Sequence, residues 1–414
     1  MASGASLLSG LRIVECSMLG PGAVSTPLAD LGADVIKVEP PSGDYIRMMS
    51  WPIIAGDSLL HLHVSRGKRS IVLDLTTEQG RAVFLDLVAT ADAVVEAMRP
   101  GGLARRGLGF DRLKAANPKL VMLTISGFGL TGPYRDLPSH GIAYDAWAGT
   151  VAPVPGPEGL PSIPDHTSIG ITAGPLFGAL GLLAAIIRAR ATGQGTYLEV
   201  AQSDAAAAFD WLRIEGSRAY QRPADEVTGN PSDDYERRPP GTGGMMDAVR
   251  YQFYTSADGY VLLAASEQKF WKNFCSAIDR EDLFAARPGA KLASHAPGDL
   301  ELRRELARIF ASRTTAQWVV IGQQHDIPIS PVNTPSSIAA DRQFQDRMPF
   351  APASRLGADQ LPLPVRVVGQ PPVCAPERAP AAGQHTEEIL SGLLGYDPAR
   401  IAALRAAGAL GTPA

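Results

Sequence analysis

Patterns of strand and helix alternate along the first 126 residues, and this alternation limits the chain to one class of fold. Short apolar runs of strand length are separated by segments whose apolar residues recur at helical spacing. The predicted strands are residues 11–15, 34–39, 70–74, 93–96 and 120–126, and the predicted helices are residues 24–31, 77–91 and 110–116. Strands that alternate with helices in this way predict an α/β fold built on a parallel, doubly wound sheet.

Ligands of such sheets bind beyond the carboxyl ends of the strands. The candidate binding loops are therefore those after Glu15, Glu39, Glu96 and Ser126. The last loop has glycines at 127, 129 and 132, the GxGxxG spacing of dinucleotide sites. That motif has to open a helix, and the prolines at 133 and 138 oppose one. We therefore expect neither a nicotinamide nor a flavin site.

The segment from Ile169 to Ile187 carries no charge and is followed by a turn, TGQG, at residues 192–195. Its length raises the question of a membrane span. Its internal glycines and proline, and the lack of a second such segment, favour a helix buried against the sheet. We predict this helix over residues 172–190, with glycines that allow close packing, and we expect no membrane partner. Asp165 lies in the polar entry to the helix.

Length and composition limit the number of domains, the partners and the cellular compartment that we expect. A chain of 414 residues is long for one core, so two domains are expected. The net charge of −4 and the scattered lysines and arginines argue against a nucleic-acid partner. Three isolated cysteines are typical of a reduced, cytoplasmic protein and form neither a disulfide frame nor a zinc motif, so no metal is expected. No basic segment precedes an apolar core at the start, so no secretory signal is predicted.

Shifts in composition mark the predicted domains. Residues 1–221 form the N-terminal part of a large domain, and residues 222–244, dense in proline, glycine and charge, form a linker. Residues 245–330 form a smaller α+β domain. Residues 331–414 contain a proline-rich extended segment and then two short helices.

Several motifs together resemble one family. They are LSGLRIVE, LADLGADVIKVEPPSGDYIR, VEAMRPG at residues 95–101, and SGFGLTGPY. This set is similar to the family III CoA-transferases, the carnitine and bile-acid CoA-transferase family, which also contains the α-methylacyl-CoA racemases. The likeness is close over about the first 210 residues. The motifs identify the superfamily and do not separate its reactions.

The resemblance implies a Rossmann-like large domain that binds CoA, with the smaller domain inserted late in the chain and C-terminal helices that complete the sheet domain. It also implies an interlocked homodimer. The residues that match the family's CoA contacts are Leu19, Gly20, Leu73, Ala97, Met98, Arg99 and Arg105.

The residues themselves agree, because arginines after a strand end offer forked donors for phosphates. The alternative is that they are solvated or pair with Glu96 and Asp111. Pro40 stands where relatives carry a basic residue.

The transferases of this family attack the thioester with an aspartate, since a nucleophilic carboxylate divides one acyl transfer into easier steps. The acid before the long apolar helix is Asp165, which we assign as the nucleophile. Counting back from TGQG without gaps, however, places Gly170 or Ile171 at the position where the family has its aspartate. Either a longer loop delivers Asp165 to that place, or the chain lacks the nucleophile. Asp165 is otherwise an N-cap or a surface acid.

His140 is the second candidate catalytic residue. With Tyr144 it matches a stretch of the racemases in which a histidine is one of two bases that exchange the α-proton. Histidine suits proton exchange near neutral pH. The acid that follows this histidine in racemases is Gly141 here, and a structural role in the loop is the alternative.

A glycine cluster, Gly241, Gly243 and Gly244, resembles the mobile loop that covers the transferase active site. Glycines let a loop close over a ligand and open again, but the cluster also fits a plain linker.

The preferred function is transfer of CoA from an acyl-CoA to a carboxylic acid through an enzyme-bound aspartyl intermediate. One alternative is an α-methylacyl-CoA racemase that uses His140 and Asp165. The other is a non-catalytic CoA-binding subunit of a heteromeric transferase.

Overall fold

The computed structural model describes residues 6–18, 20–229, 235–237, 239, 245–291, 293–374 and 377–411. The chain divides into two compact units, one formed by Met1–Trp211 with Asp346–Ala414 and the other by Leu212–Gln345. The chain therefore leaves the first unit once and returns to it for its last residues.

A six-stranded parallel sheet organises the first unit. Its strands are β1 (Arg12–Ser17), β2 (Asp34–Glu39), β3 (Arg69–Val72), β4 (Ala93–Ala97), β5 (Val121–Ser126) and β6 (Tyr197–Ala201). Their spatial order is β6-β5-β4-β1-β2-β3. In the centre, Ile13 lies beside Val35 on one side and Ala93 on the other. The parallel α/β sheet predicted from the alternation is confirmed, and the order reverses direction beside β1, where such sheets bind ligands.

The helices of the first unit lie between and after these strands. They are α1 (Thr26–Asp30), α2 (Ile46–Met49), α3 (Leu59–Val64), α4 (Glu78–Ala89), α5 (Phe110–Ala116), α6 (Ile142–Ala148), α7 (Gly170–Thr192) and α8 (Gln202–Phe209). Thr77 caps α4, because its Oγ1 accepts from the Gly80 N–H at 3.0 Å. The helix predicted over residues 24–31 is present as α1, which begins later, at Thr26, because a 3-10 turn, Gly20–Val24, precedes it; Pro27 occupies its first turn.

Both faces of the sheet are covered. On one face α4 packs through Phe84 and Leu87 against strand residues such as Val14 and Ile71. On the other face α7 packs through Leu182 and Ile186 against Val95, Leu123 and Ile125. Burial on both sides explains why neighbouring residues that point to opposite faces, such as Ile13 and Val14 of β1, are both apolar, as expected for parallel strands.

Helix α7 is the longest element and is long and apolar enough by composition to cross a membrane. Half of its most apolar window is nevertheless buried within the unit. A Cβ at Gly178 would lie 3.0 Å from Ile125 Cδ1, so the glycine lets the helix approach β5 closely. The predicted buried helix with glycine-mediated packing is confirmed.

The final residues complete the first unit. A π-helical turn (Glu388–Leu393) and a helix (Pro398–Ala406) follow the proline-rich segment. Ile389, Leu390, Ile401 and Leu404 are buried in the cluster that contains α4 and the central strands. The C-terminal segment is thus part of the core beside the sheet.

The second unit has its own core. An antiparallel sheet is formed by β7 (Tyr251–Thr255), β8 (Tyr260–Ala264) and β9 (Ile329–Pro331). The helices are α9 (Trp211–Ala219), α10 (Gln268–Ala277), α11 (Glu281–Ala286), α12 (Leu300–Phe310), α13 (Thr315–His325) and α14 (Arg342–Arg347). Trp271, Phe274, Phe310 and Trp318 form its buried aromatic centre.

Candidate active site

A cavity of about 370 Å³ opens at the carboxyl edge of the sheet. The ends of β1, β2, β3 and β4 all contribute to its wall. Four of the residues predicted to contact CoA line it, namely Leu73, Met98, Arg99 and Arg105. Ala97 and Gly20 are not among the lining residues, and Leu19 lies outside the described residues. The sheet therefore brings together residues from distant parts of the sequence, as the alternation predicts.

Three arginines make one side of the cavity positive. Arg99, Arg105 and Arg106 are exposed at its rim. Arg105 donates to the Pro100 carbonyl at 2.6 Å, and Arg106 donates to the Gly102 carbonyl at 3.0 Å. None of the three guanidinium groups forms an ion pair with a carboxylate in the described part of the chain, so the alternative of pairing with Glu96 and Asp111 is not observed. Such donors suit the phosphates of a nucleotide ligand.

Glu96 fixes the turn that carries these arginines. Its carboxylate is buried and accepts from the Leu103 N–H at 2.7 Å and from the Thr124 hydroxyl at 2.9 Å. Burial raises the pKa of Glu96 above its ordinary value, although both hydrogen bonds and the nearby arginines oppose this. The Glu96 side chain thus links β4 and β5 to the turn that carries the arginines.

A buried charge network lies under the cavity. The Glu15 carboxylate contacts Lys68 Nζ at 2.7 Å and Lys37 Nζ at 3.5 Å, and Lys37 also contacts Asp44 at 2.7 Å. Burial opposes the charge on Glu15, but the two ammonium groups outweigh it and hold its pKa below the ordinary value. Burial lowers the pKa of Lys68 to about 8, whereas Glu15 and Asp44 overcome burial and raise the pKa of Lys37. Lys37 therefore stays charged at the cavity wall.

A second group of polar side chains continues this network away from the cavity. Arg47 Nη2 donates to Glu39 at 2.8 Å, and Arg47 Nη1 contacts His61 Nε2 at 2.9 Å. Burial first, and the Arg47 charge next, lower the pKa of His61 to about 4. The imidazole is therefore neutral at physiological pH.

Asp165 and His140, the predicted catalytic pair, are both exposed. Asp165 lies in the loop five residues ahead of α7, and no hydrogen bond or ion pair holds its carboxylate among the described residues. His140 precedes α6, and its carbonyl accepts from the Ala143 N–H at 3.0 Å. No hydrogen bond or ion pair joins these two described side chains, so their roles remain predictions. Gly241, Gly243 and Gly244 lie outside the described residues.

The N-terminus of α7 is occupied by a different acid, Asp145 of α6. Its Oδ1 accepts from the N–H groups of Ile169 and Gly170 at 2.8 and 3.0 Å. The residue is 1% exposed. Gly170 and Ile171, the two positions at which ungapped counting can place the family's aspartate, both lie within the first turn. Sequence reasoning missed Asp145 because no local spacing connects residue 145 to a helix that begins 25 residues later.

The parallel sheet and the arginine-rimmed cavity at its carboxyl edge define an α/β protein whose cavity suits a phosphate-bearing ligand. The family model described as CoA-transferase family III matches residues 8–386. The chain belongs to this family, which confirms the resemblance read from the motifs.

Named relatives extend along nearly the whole chain. The beta subunit of succinyl-CoA–L-malate CoA-transferase of Chloroflexus aurantiacus is 30% identical over 412 residues, 96% of each chain. The probable fatty acyl-CoA transferase Rv3272 of Mycobacterium tuberculosis is 31% identical over 400 residues, 93% of this chain and 97% of the relative. The chain is therefore an enzyme of CoA-transferase family III. These relatives do not favour the racemase alternative.

The fold agrees with a solved structure. A CaiB/BaiF family protein from Brucella suis has a TM-score of 0.74 at 26% identity, covering 94% of this chain and 100% of the other.

Proposed function

We propose that the protein transfers CoA from an acyl-CoA thioester to a free carboxylic acid through an enzyme-bound aspartyl intermediate. The observation that carries this proposal is the cavity at the carboxyl edge of the sheet, whose arginine rim suits the phosphates of CoA. Leu73 and Met98 supply apolar wall for the adenosine or pantetheine part, and Arg99 and Arg105 supply donors for phosphate. Ala97, Gly20 and Leu19 remain proposed contacts from the family resemblance.

The acyl donor and acceptor are proposed only as classes. One relative is named for succinyl-CoA and L-malate and another for fatty acyl-CoA. The shared chemistry is a thioester donor and a carboxylate acceptor. Asp165 is the nucleophile that the sequence predicts, although its exposed loop position offers the carboxylate no nearby hydrogen-bond donor among the described residues.

A coupled assay tests the transfer. Succinyl-CoA and fatty acyl-CoA donors would be incubated with di- and monocarboxylates, and the new thioester measured by chromatography and mass spectrometry. We expect at least one pair to exchange CoA, with hydroxylamine trapping the protein as an aspartyl hydroxamate during turnover. Hydrolysis without exchange, for every pair, would contradict the proposal.

A non-catalytic CoA-binding subunit is the second candidate function. Gly170 or Ile171 stands at the counted aspartate position, and one relative is named as a beta subunit. CoA that raises the melting temperature without any transfer would favour this candidate. A transfer that appears only after addition of a homologous chain would favour it further.

We also propose an interlocked homodimer in the cytoplasm, from the family resemblance. Native mass spectrometry of the purified chain distinguishes a homodimer from a monomer that awaits a different subunit.

A further inference from the structure

Asp145 presents a buried carboxylate oxygen that nothing in the described protein binds. Oδ1 accepts two backbone N–H groups at the start of α7, while Oδ2 has no hydrogen-bond partner among the described residues. A buried carboxylate oxygen without a donor is costly, because its hydration is lost and not replaced. Capping the helix requires one acceptor oxygen, which serine, threonine or asparagine supplies equally well. The free oxygen is therefore not explained by the cap.

The surroundings of Asp145 include the N-terminus of α7 and a residue of α8. The helix N-terminus carries the positive end of the helix dipole, which stabilises negative charge. Gln202 of α8 packs on the same end of α7, since a Cβ at Gly174 would lie 3.0 Å from its Cγ. Its Oε1 is a second buried acceptor without a partner in the described part of the chain. This end of the helix thus holds acceptors that an incoming ligand with N–H donors can satisfy.

Helix α6, which carries Asp145, is bounded by glycines. Gly141 and Gly149 flank its seven residues at φ of +46° and +76°. The loops before and after it are largely exposed. Glycines at both ends of a short helix let the backbone beside Asp145 adjust, so that a substrate reaches Oδ2 while Oδ1 keeps its contacts with Ile169 and Gly170.

We propose that Asp145, and not Asp165, is the nucleophilic carboxylate of this transferase, an inference that rests on the proposed function. Oδ2 attacks the thioester carbonyl carbon, the C–S bond breaks and CoA leaves as the thiolate, so a mixed anhydride forms. The thiolate then attacks Cγ of Asp145 and releases the donor acid, which leaves an aspartyl-CoA thioester. The acceptor carboxylate repeats the two steps in reverse order and takes the CoA, regenerating the Asp145 carboxylate.

The contacts of Oδ1 fit this sequence of steps. Whenever Cγ is attacked, negative charge develops on Oδ1, which already accepts from the N–H groups of Ile169 and Gly170. Backbone donors fixed before the reaction are the arrangement that stabilises an oxyanion. An acid from α6, which reaches the same end of the same helix, then replaces the aspartate that is missing at the counted position, Gly170 or Ile171.

Peptide mapping of the hydroxylamine-trapped wild-type protein tests the assignment without any variant. We expect the hydroxamate on Asp145. Asp145→Asn keeps an oxygen that accepts from Ile169 and Gly170, so the cap and the melting temperature should be retained while transfer falls by about 10³-fold. Asp136→Asn, at an exposed acid away from α7, is the matched control and should transfer like the wild type.

The outcomes separate this inference from the proposed function. A hydroxamate on Asp165 or another acid, or full transfer by Asp145→Asn, overturns the role of Asp145 and leaves the transferase proposal intact. A wild-type protein that transfers CoA between no donor and acceptor overturns both.

Discussion

At the scale of single residues, the protein buries many charges under its proposed binding site. Glu15, Lys37 and Lys68 are all nearly inaccessible to water, and each is paired. Removing one partner of such a group leaves an uncompensated buried charge, which costs far more than an exposed ion pair contributes. These ion pairs are therefore part of the buried structure that supports the cavity, unlike exposed ion pairs on the surface.

His61 gives a pH dependence whose sign follows from its surroundings. It is fully buried, and its pKa lies near 4 in the folded protein against 6.5 ordinarily. Between these values the unfolded chain binds the proton and the folded one does not, so the free energy of unfolding falls as pH falls from about 6.5 to 4. From pH 7 to 5 the contribution is about 2 kcal/mol.

His61→Gln removes this titration while retaining a side chain that can accept from Arg47. Urea unfolding at pH 7 and pH 5 should show a smaller loss of stability in the variant than in the wild type. Because both proteins share all other titrating groups, the difference between the two losses isolates residue 61. Equal losses in the two proteins would show that folding does not lower the pKa of His61.

At the scale of elements, the glycines in and after α7 differ in how much space surrounds them. One has no room for a side chain, and another has room for a methyl group. Gly195, in the turn before β6, would place a Cβ 1.9 Å from the Leu120 carbonyl oxygen, a backbone atom that cannot rotate away. Gly181, within α7, has its nearest neighbour for a Cβ at 3.8 Å, so an added methyl group meets no obstruction. Both positions are glycines in the sequence, but only Gly195 is packed too closely to accept a larger residue.

Gly195→Ala should lower the free energy of unfolding by about 1–3 kcal/mol, because the turn must shift away from the end of β5. Gly181→Ala should leave it unchanged or raise it by up to about 1 kcal/mol, since alanine is the better helix former. Denaturant unfolding of both variants checks the pair. A stable Gly195→Ala protein would mean that the turn moves without cost.

At the scale of the whole molecule, the first unit needs both ends of the chain. Leu390 is completely buried against the cluster formed by α4 and the central strands, more than three hundred residues away in sequence. Because these contacts join residues that are far apart in sequence, the stability of the sheet depends on the C-terminal segment, which follows the second unit in the chain.

Leu390→Ala should therefore destabilise the first unit by about 2–5 kcal/mol, through lost burial and the cavity left behind. Hydrogen exchange resolves the effect by unit, with faster exchange in β1 to β4 and unchanged protection in β7 to β9. Leu300→Ala, at a residue 60% exposed in the second unit, is the control and should change stability by less than about 0.5 kcal/mol. Unaltered exchange in β1 to β4 would contradict a structural role for the C-terminal segment.

The sequence by itself determined the parallel sheet, because apolar runs of strand length alternating with helices leave few other ways to bury both faces. It also determined α7, since an uncharged segment of that length has to be covered, and the family, since its motifs are long and specific. Leu73, Met98, Arg99 and Arg105 could be placed near one site because strand ends of a parallel sheet meet at one edge.

Only the tertiary structure decided which acid meets the N-terminus of α7. Local spacing favoured Asp165, the nearest acid ahead of the helix, yet that residue is exposed, while Asp145 arrives from a preceding helix to accept from Ile169 and Gly170. Sequence order is a poor guide here, because hydrogen bonds between elements depend on where the chain returns in space. The same reason hid the partners of Glu15, which come from strands 22 and 53 residues away.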